Sequence, residues 1–171
     1  MSSKPDLAIN DVISAAYRLH AEIVGAGDAV AGQFGLSAAR WQVLGTIARG
    51  GAASVPDLAR VIGNARQSVQ RLVSEMLDEG LLITIENPRH RRSRLVEMSA
   101  RGRQSYEAVM TSWAPHAASL GKKLPLATSR ALARDLIVLA RAFREIADQS
   151  GRAAEPSDGP SSSSPQVKHE P

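Results

Sequence analysis

Between Ser54 and Met98 the spacing of apolar residues switches from a helical period of about 3.6 to a strand period of about 2, which restricts the fold more than any other feature of the chain. Two short helical patterns come first, joined by Gly63-Asn64, and a strand pattern, an arginine-rich loop and a second strand pattern follow. The second helical pattern, Ala65 to Glu79, has two distinct faces. At about 100° per residue, Val69, Leu72, Val73, Met76 and Leu77 fall within an arc of roughly 140°. Arg66, Gln67, Gln70, Arg71 and Ser74 fall within a separate arc of similar width. One face packs, and the other carries side chains of the kinds that read base edges or hold phosphate oxygens. Arg66 and Arg71 come early and Glu75, Asp78 and Glu79 late. Acids there oppose the helix macrodipole, yet they lie away from phosphates if the N-terminal turns enter a groove. Taken alone, this helix fits a solvated bundle helix equally well.

Its neighbours separate the two readings. Ser54-Val55-Pro56-Asp57 has the order of an N-cap, a first-turn proline and an acid at the capping-box position. Leu58, Val61 and Ile62 give a short apolar stripe, and Gly63 can end that helix in a left-handed conformation. Two short helices with a glycine turn are the helix-turn-helix pattern. After Gly80, Ile83 and Ile85 alternate with Thr84 and Glu86, and Leu95 and Val96 begin a second short strand whose facing the pattern leaves open. From Glu86 to Arg103 there are six arginines against two glutamates, a local excess equal to the +4 of the whole chain. A solvated hairpin mixes its signs; this one is nearly all positive, as a loop that neutralises phosphates or enters a narrow minor groove would be.

Several segments together resemble the MarR (multiple antibiotic resistance regulator) family of winged-helix transcription factors: Leu36 to Leu44, Leu58-Ala59-Arg60, Arg66 to Val73, Glu79 to Leu82, the loop Asn87 to Ser93, and Leu95 to Gly102. The resemblance spans about two-thirds of the chain by motif. It implies a homodimer of intertwined N- and C-terminal helices, with two lobes addressing the half-sites of a pseudo-palindromic operator, and regulation that is commonly repression. It also implies that the wing residue Arg92 enters the minor groove. Typical members carry Asp-x-Arg in the wing; here His90 stands at the acidic position, in an Asn-Pro-x-His-Arg-Arg variant. Small aromatic or phenolic effectors are the usual signal of the family.

From the residues themselves, Arg66, Gln67, Ser68, Gln70 and Arg71 are expected to address the major groove or its phosphates, and Arg89, Arg91 and Arg92 to form the wing contacts. Ser37, Arg40 and Ser54, at helix starts, are read as phosphate-positioning groups. Near the C-terminus, Leu132, Leu136, Leu139, Phe143 and Ile146 repeat in steps of four and three, a heptad seam suited to a dimer; burial against the chain's own first helix is the competing reading. That first helix, within Leu7 to Phe34, is weakened by Gly25, Gly27 and Gly32 and needs a partner. Ser99 reads as an N-cap, Tyr106, Val109, Met110 and Trp113 continue an apolar stripe, and Pro115 is expected to kink or break that helix before a loop over Gly121 to Pro125. Tyr17, His20, Trp41, Trp113 and His116 are read as core before effector-lining residues, so no effector site is assigned.

The expected fold class is mostly α with a small antiparallel β-wing: a winged helix-turn-helix lobe at about residues 36–100 within a domain of residues 1–149. Residues 150–171, with four consecutive serines and few large apolar groups, are expected to be a disordered tail. Without cysteine there is no disulfide and no thiol-based peroxide switch, and His20, His90, His116 and His169 are too scattered to form a metal motif. The expectation is therefore no cofactor and no metal. No apolar run has the length of a membrane span and no signal-peptide pattern opens the chain, which makes the cytoplasm the expected compartment. Two rivals to a sequence-specific regulator stand: an architectural DNA binder with little sequence preference, and a winged-helix module used for protein contact. An enzyme ranks below both, since no nucleophile-base pair or phosphate loop is visible.

Overall fold

The computed structural model describes residues 4–88 and 93–153. In chain order, α1 runs Lys4–Ala31, α2 Ala38–Gly50, α3 Val55–Ile62 and α4 Arg66–Asp78. Strands β1 (Leu82–Ile85) and β2 (Leu95–Met98) then pair antiparallel, followed by α5 (Ala100–Lys123) and α6 (Leu126–Ala153). The expected class, mostly helical with one small antiparallel pair, is the class observed. The chain divides into two units, residues 1–119 and residues 120–171.

The core of the first unit lies where the helical periods put it. Val69, Val73 and Met76 of α4 are at most 1% exposed, and Leu72 and Leu77 are partly buried beside them. They join Leu58 of α3, Val43, Leu44 and Ile47 of α2, Leu82, Val96 and Met98 of the strands, and Val109 of α5. Full burial of a side chain such as Leu44 or Leu58 contributes about 1.5–3 kcal/mol, so this small cluster carries most of the lobe's stabilisation. Capping fixes where the helices start. The Asp28 carboxylate of α1 accepts from the Ala38 amide at 2.6 Å and the Ser37 hydroxyl accepts from the Arg40 amide at 3.3 Å, so α2 is capped from two sides. Ser54 caps α3 by accepting from the Asp57 amide, and Gly63 ends it with φ 81°, in the left-handed region that a turn this tight requires.

The strand pairing sets the facing of the two short strands. Leu82 pairs with Met98 and Thr84 with Val96, and it is Leu82, Val96 and Met98 that are buried; Ile83, opposite Glu97, points out and is 46% exposed. The alternation at Ile83 and Ile85 is therefore the outer face of the pair, and the inward position is taken by the leucine just before it. Ala53, immediately ahead of the α3 cap, pairs with Val96 through both backbone bonds (3.1 and 2.9 Å), which ties the entry of the helix-turn-helix to the second strand.

The tightest packing joins the end of α4 to the start of α5. The Leu81 amide donates to the Met76 carbonyl (2.8 Å), the Ser99 amide donates to the Leu81 carbonyl (3.1 Å), and the Ser99 hydroxyl donates to the Gly80 carbonyl (2.6 Å). Ser99 also accepts from the Gly102 amide at 2.9 Å, which is the N-cap expected of it. A Cβ on Gly102 would stand 2.0 Å from the Leu81 carbonyl oxygen, so only glycine allows this approach.

Of the kink or break expected at Pro115, the break does not occur: α5 continues through it to Lys123, and the loop expected over Gly121 to Pro125 is only Leu124 and Pro125 before α6. A helix-interior proline removes one backbone bond and frees the carbonyl four residues earlier, here that of Thr111. Thr111 and Ala114 to Ala117 are exposed, so water can take that carbonyl and the cost is tolerated. At its other end α6 extends to Ala153, past the residue-149 limit expected for the domain.

Gly102→Ala should destabilise the first unit by at least ~2 kcal/mol, since the methyl must displace backbone or open the α5 start. Gly25→Ala, at a helical site with open space around it, should be neutral or stabilising by up to ~1 kcal/mol. Chemical denaturation of the two variants beside the parent chain checks both signs.

Candidate nucleic-acid interface

The exposed side of α4 is made of the residues its period assigns there: Arg66, Gln67, Ser68, Gln70 and Arg71 are all exposed, with Val69 and Val73 buried behind them. The helix opens at Ala65 with no side-chain cap bond, which leaves first-turn amides available to an anion. Its other end is heavily engaged. Arg40 of α2 makes a two-pronged contact with Glu79 (2.7 and 2.6 Å) and approaches Glu75 at 3.8 Å, while Arg101 of α5 donates to the Glu79 carbonyl at 2.7 Å. Glu75 in turn accepts from Nε of Arg71 at 3.1 Å.

These bonds bear on the three groups read as phosphate-positioning. Arg40 is committed to Glu79 and Glu75, with its side chain only 20% exposed. Ser54 is buried, and its hydroxyl donates to the Asp57 carboxylate at 2.6 Å while accepting the Asp57 amide, so it has no proton to offer a phosphate. Ser37 is half-buried and caps α2, using its oxygen as acceptor. Sequence alone could show that these residues open helices; it could not show that two of them are spent inside the protein. The hydrogen bond from the Ser54 hydroxyl holds the Asp57 carboxyl below its ordinary value, with the Arg60 guanidinium adding to the effect. A lowered carboxyl stabilises above the ordinary value of about 3.9 and loses that contribution as pH falls through the lowered one, so this cap fails only in acid.

The wing arginines Arg89, Arg91 and Arg92, with His90, lie outside the described residues. What the structure gives of the wing is its base: the β1–β2 pair, held to the core by Leu82, Val96 and Met98.

A second feature went unassigned in the sequence. A cleft of about 650 Å³ in the first unit is lined by His20 and Ile23 of α1, Trp41, Gln42 and Arg49 of α2, Ile62 and Asn64 at the α3–α4 turn, and Tyr106, Met110 and Trp113 of α5. Trp41 and Trp113 meet edge to face with centroids 5.5 Å apart, and the His116 ring centroid lies 5.9 Å from that of Trp113. Gly45 makes room on the cleft wall: a Cβ there would lie 3.3 Å from an Arg49 terminal nitrogen and 3.6 Å from the Tyr106 ring. His20, Trp41 and Trp113, read as core from sequence, are therefore cleft-lining; Tyr17, 74% exposed, and His116 are not among the lining residues. The lining holds Arg49 and His20 and no carboxylate. Spacing along one helix could not reveal this site, because three helices and a turn build it. Among the described residues no group of three or more His, Asp or Glu side chains could hold a metal ion, and no helix is long and apolar enough to cross a membrane.

In the second unit, α6 carries the heptad seam. Leu132, Leu136, Phe143 and Ile146 are between 38% and 57% exposed, Leu139 is half-buried, and Ile137 and Val138 widen the apolar surface.

Comparison with known proteins places this geometry. Residues 34–93 match the family model described as MarR family. The transcriptional activatory protein BadR of Rhodopseudomonas palustris is 38% identical over 78 residues, covering 44% of this chain and 45% of its own. The chain spans about half the length of the curated relatives it matches. Among solved structures, the MarR family transcription regulator SP03579 superposes with a TM-score of 0.66 at 20% identity, over 82% of this chain and 93% of its own. The Mycobacterium tuberculosis transcriptional regulator MosR, crystallised in complex with DNA, gives the same score and identity over 78% of this chain and 96% of its own. Residues 34–93 are thus similar in sequence to the MarR family model, and the chain is similar in fold to solved winged-helix structures of regulators named for that family.

Proposed function

We propose that this chain is a transcription regulator of the MarR kind, which binds a pseudo-palindromic operator in double-stranded DNA as a homodimer and is released by a small aromatic or phenolic effector. The observation that carries the DNA reading is the exposed face of α4, where Arg66, Gln67, Ser68, Gln70 and Arg71 stand clear of an opposite face whose Val69, Val73 and Met76 are buried. MosR, similar in fold, was crystallised on DNA, and BadR is named a transcriptional activatory protein. Arg and Gln on the leading turns suit guanine and adenine edges in the major groove, and the wing arginines Arg89, Arg91 and Arg92 suit the flanking minor groove and its phosphates. Ser37 retains a hydroxyl proton for a phosphate; Arg40 and Ser54 act by holding the helices that carry the readers. Occupying an operator excludes other proteins from the same duplex, so repression is the mode expected. A reporter whose output falls when the chain is deleted would instead align it with the activatory relative.

Three measurements test this reading. Arg66→Ala and Arg92→Ala should each weaken binding to an operator duplex by ~1–3 kcal/mol while leaving a scrambled duplex bound as before. Equal binding of operator and scrambled duplex by the parent chain would make it an architectural binder, and no salt-sensitive binding at all would make it a protein-contact module.

For assembly, the seam of Leu132, Leu136, Leu139, Phe143 and Ile146 leaves too much apolar surface on a lone chain. Leu136→Glu should turn a dimer into a monomer at micromolar concentration in sedimentation, with operator binding lost alongside. A parent chain that sediments as a monomer refutes the assignment.

For the effector, the cleft pairs two indoles with Arg49 and His20, which suits a flat ring bearing an anionic group. A hydroxylated aromatic carboxylate should quench the Trp41 and Trp113 fluorescence saturably and weaken DNA binding, and Arg49→Ala should raise the concentration required about tenfold. Quenching without any change in DNA affinity would separate the cleft from control.

A further inference from the structure

We propose that Glu75 is a positioning residue for Arg71, and that through it the identity of one base pair in each half-site is read. This rests on the assignment of the exposed face of α4 to DNA. Glu75 is poorly placed for helix stability. It lies in the last turn of α4, where an acid opposes the macrodipole, and it pairs with an arginine four residues before it, the weaker of the two orders for such a pair. Its value lies in what it holds. Glu75 Oε1 accepts from Nε of Arg71 at 3.1 Å, which fixes the plane of the guanidinium at its inner edge. The two terminal nitrogens take no other partner among the described residues, and the Arg71 side chain is 85% exposed. They form an exposed two-donor fork, the shape that matches the O6 and N7 acceptors of guanine. Glu75 is itself braced: its second oxygen lies 3.8 Å from Arg40, which Glu79 clamps with two bonds of 2.7 and 2.6 Å. A chain of alternating charge, Glu79, Arg40, Glu75 and Arg71, thus runs from the α2–α4 contact to the reading face. Holding the guanidinium beforehand lowers the entropy cost of each bond it makes to a base.

The test uses the full chain and a random-sequence duplex library. Wild-type protein selects its preferred duplex, and Glu75→Ala, Glu75→Gln and Arg71→Ala are then compared on that duplex and its single-base-pair variants. The wild type should prefer a G·C pair by on the order of tenfold or more at the position where Arg71→Ala erases the preference. Glu75→Ala should reduce the ratio at that same position to below about threefold, and Glu75→Gln, which keeps an acceptor for Nε, should retain most of it. Should Glu75→Ala not fold, Glu75→Met, which keeps the volume and the helix propensity but has no oxygen, carries the same expectation. Wild-type preferences retained in the Ala or Met variant overturn the inference. So does a uniform rise in affinity for every duplex, which would make Glu75 only a repellent of phosphate, and so does an Arg71→Ala variant that keeps every preference. A wild-type chain that enriches no motif overturns the base-reading assignment of α4 and this role with it; an enriched motif with these variants inert overturns this role alone.

Discussion

The short segment from Glu79 to Leu81 is where the lobe is decided. Four elements meet there: the last turn of α4 through the Met76 carbonyl, β1 through Leu81, the exit of β2 through the amide and hydroxyl of Ser99, and the start of α5 through Gly102, whose amide donates to that hydroxyl. Because the Gly102 Cα packs against the Leu81 carbonyl with no room for a methyl group, α4 cannot rotate on the wing without breaking the Leu81–Met76 and Ser99–Leu81 backbone bonds. α4 is thereby held at a fixed angle to the strand pair. A base contact needs that rigidity, since an interaction made by a two-donor fork decays within a few tenths of an ångström of misplacement.

The same junction resolves an electrostatic conflict in α4. Glu75, Asp78 and Glu79 concentrate negative charge at the end of the helix that is already negative. Arg40 and Arg101 answer it from two other helices, one on the Glu79 carboxylate and one on its carbonyl. The opposite end keeps its uncapped amides with Arg66 and Arg71 nearby, so the helix is polarised with its positive end outward. Arranged this way, the acids stabilise the lobe internally and discourage phosphate from approaching the wrong end of the helix.

Local chemistry was legible in the sequence, and long-range chemistry was not. The caps at Ser54 and Ser99, the left-handed Gly63 and the packed face of α4 each depend on residues within about one turn of one another, and each lies where the pattern put it. The facing of β1 was not legible because two adjacent apolar residues, Leu82 and Ile83, offer opposite facings, and the choice between them is made by the partner strand through the Leu82–Met98 register. Whether Pro115 breaks its helix or stays within it could not be read from the sequence, because its cost depends on whether water reaches the freed carbonyl, which is a property of the surface and not of the sequence window. Arg40 looked like a phosphate ligand because its partner Glu79 is remote in the chain. The cleft was invisible for the same reason, drawing its walls from α1, α2, α5 and a turn.

The position of that cleft bears on how a ligand could act. Ile62 and Asn64 belong to the turn that feeds α4, and Trp41 follows the Arg40 that clamps the end of α4, so two of its walls are the elements that fix α4. Filling the cleft does nothing to DNA affinity unless the ligand binds one arrangement of those elements better than another. A tenfold loss of operator affinity requires about 1.4 kcal/mol of such preference, which one charge-assisted bond to Arg49 made in only one arrangement can supply. By reciprocity the operator must then weaken the ligand by the same factor, and the turn at Gly63 and Asn64, exposed and lightly packed, is the element with the freedom to make the two arrangements differ.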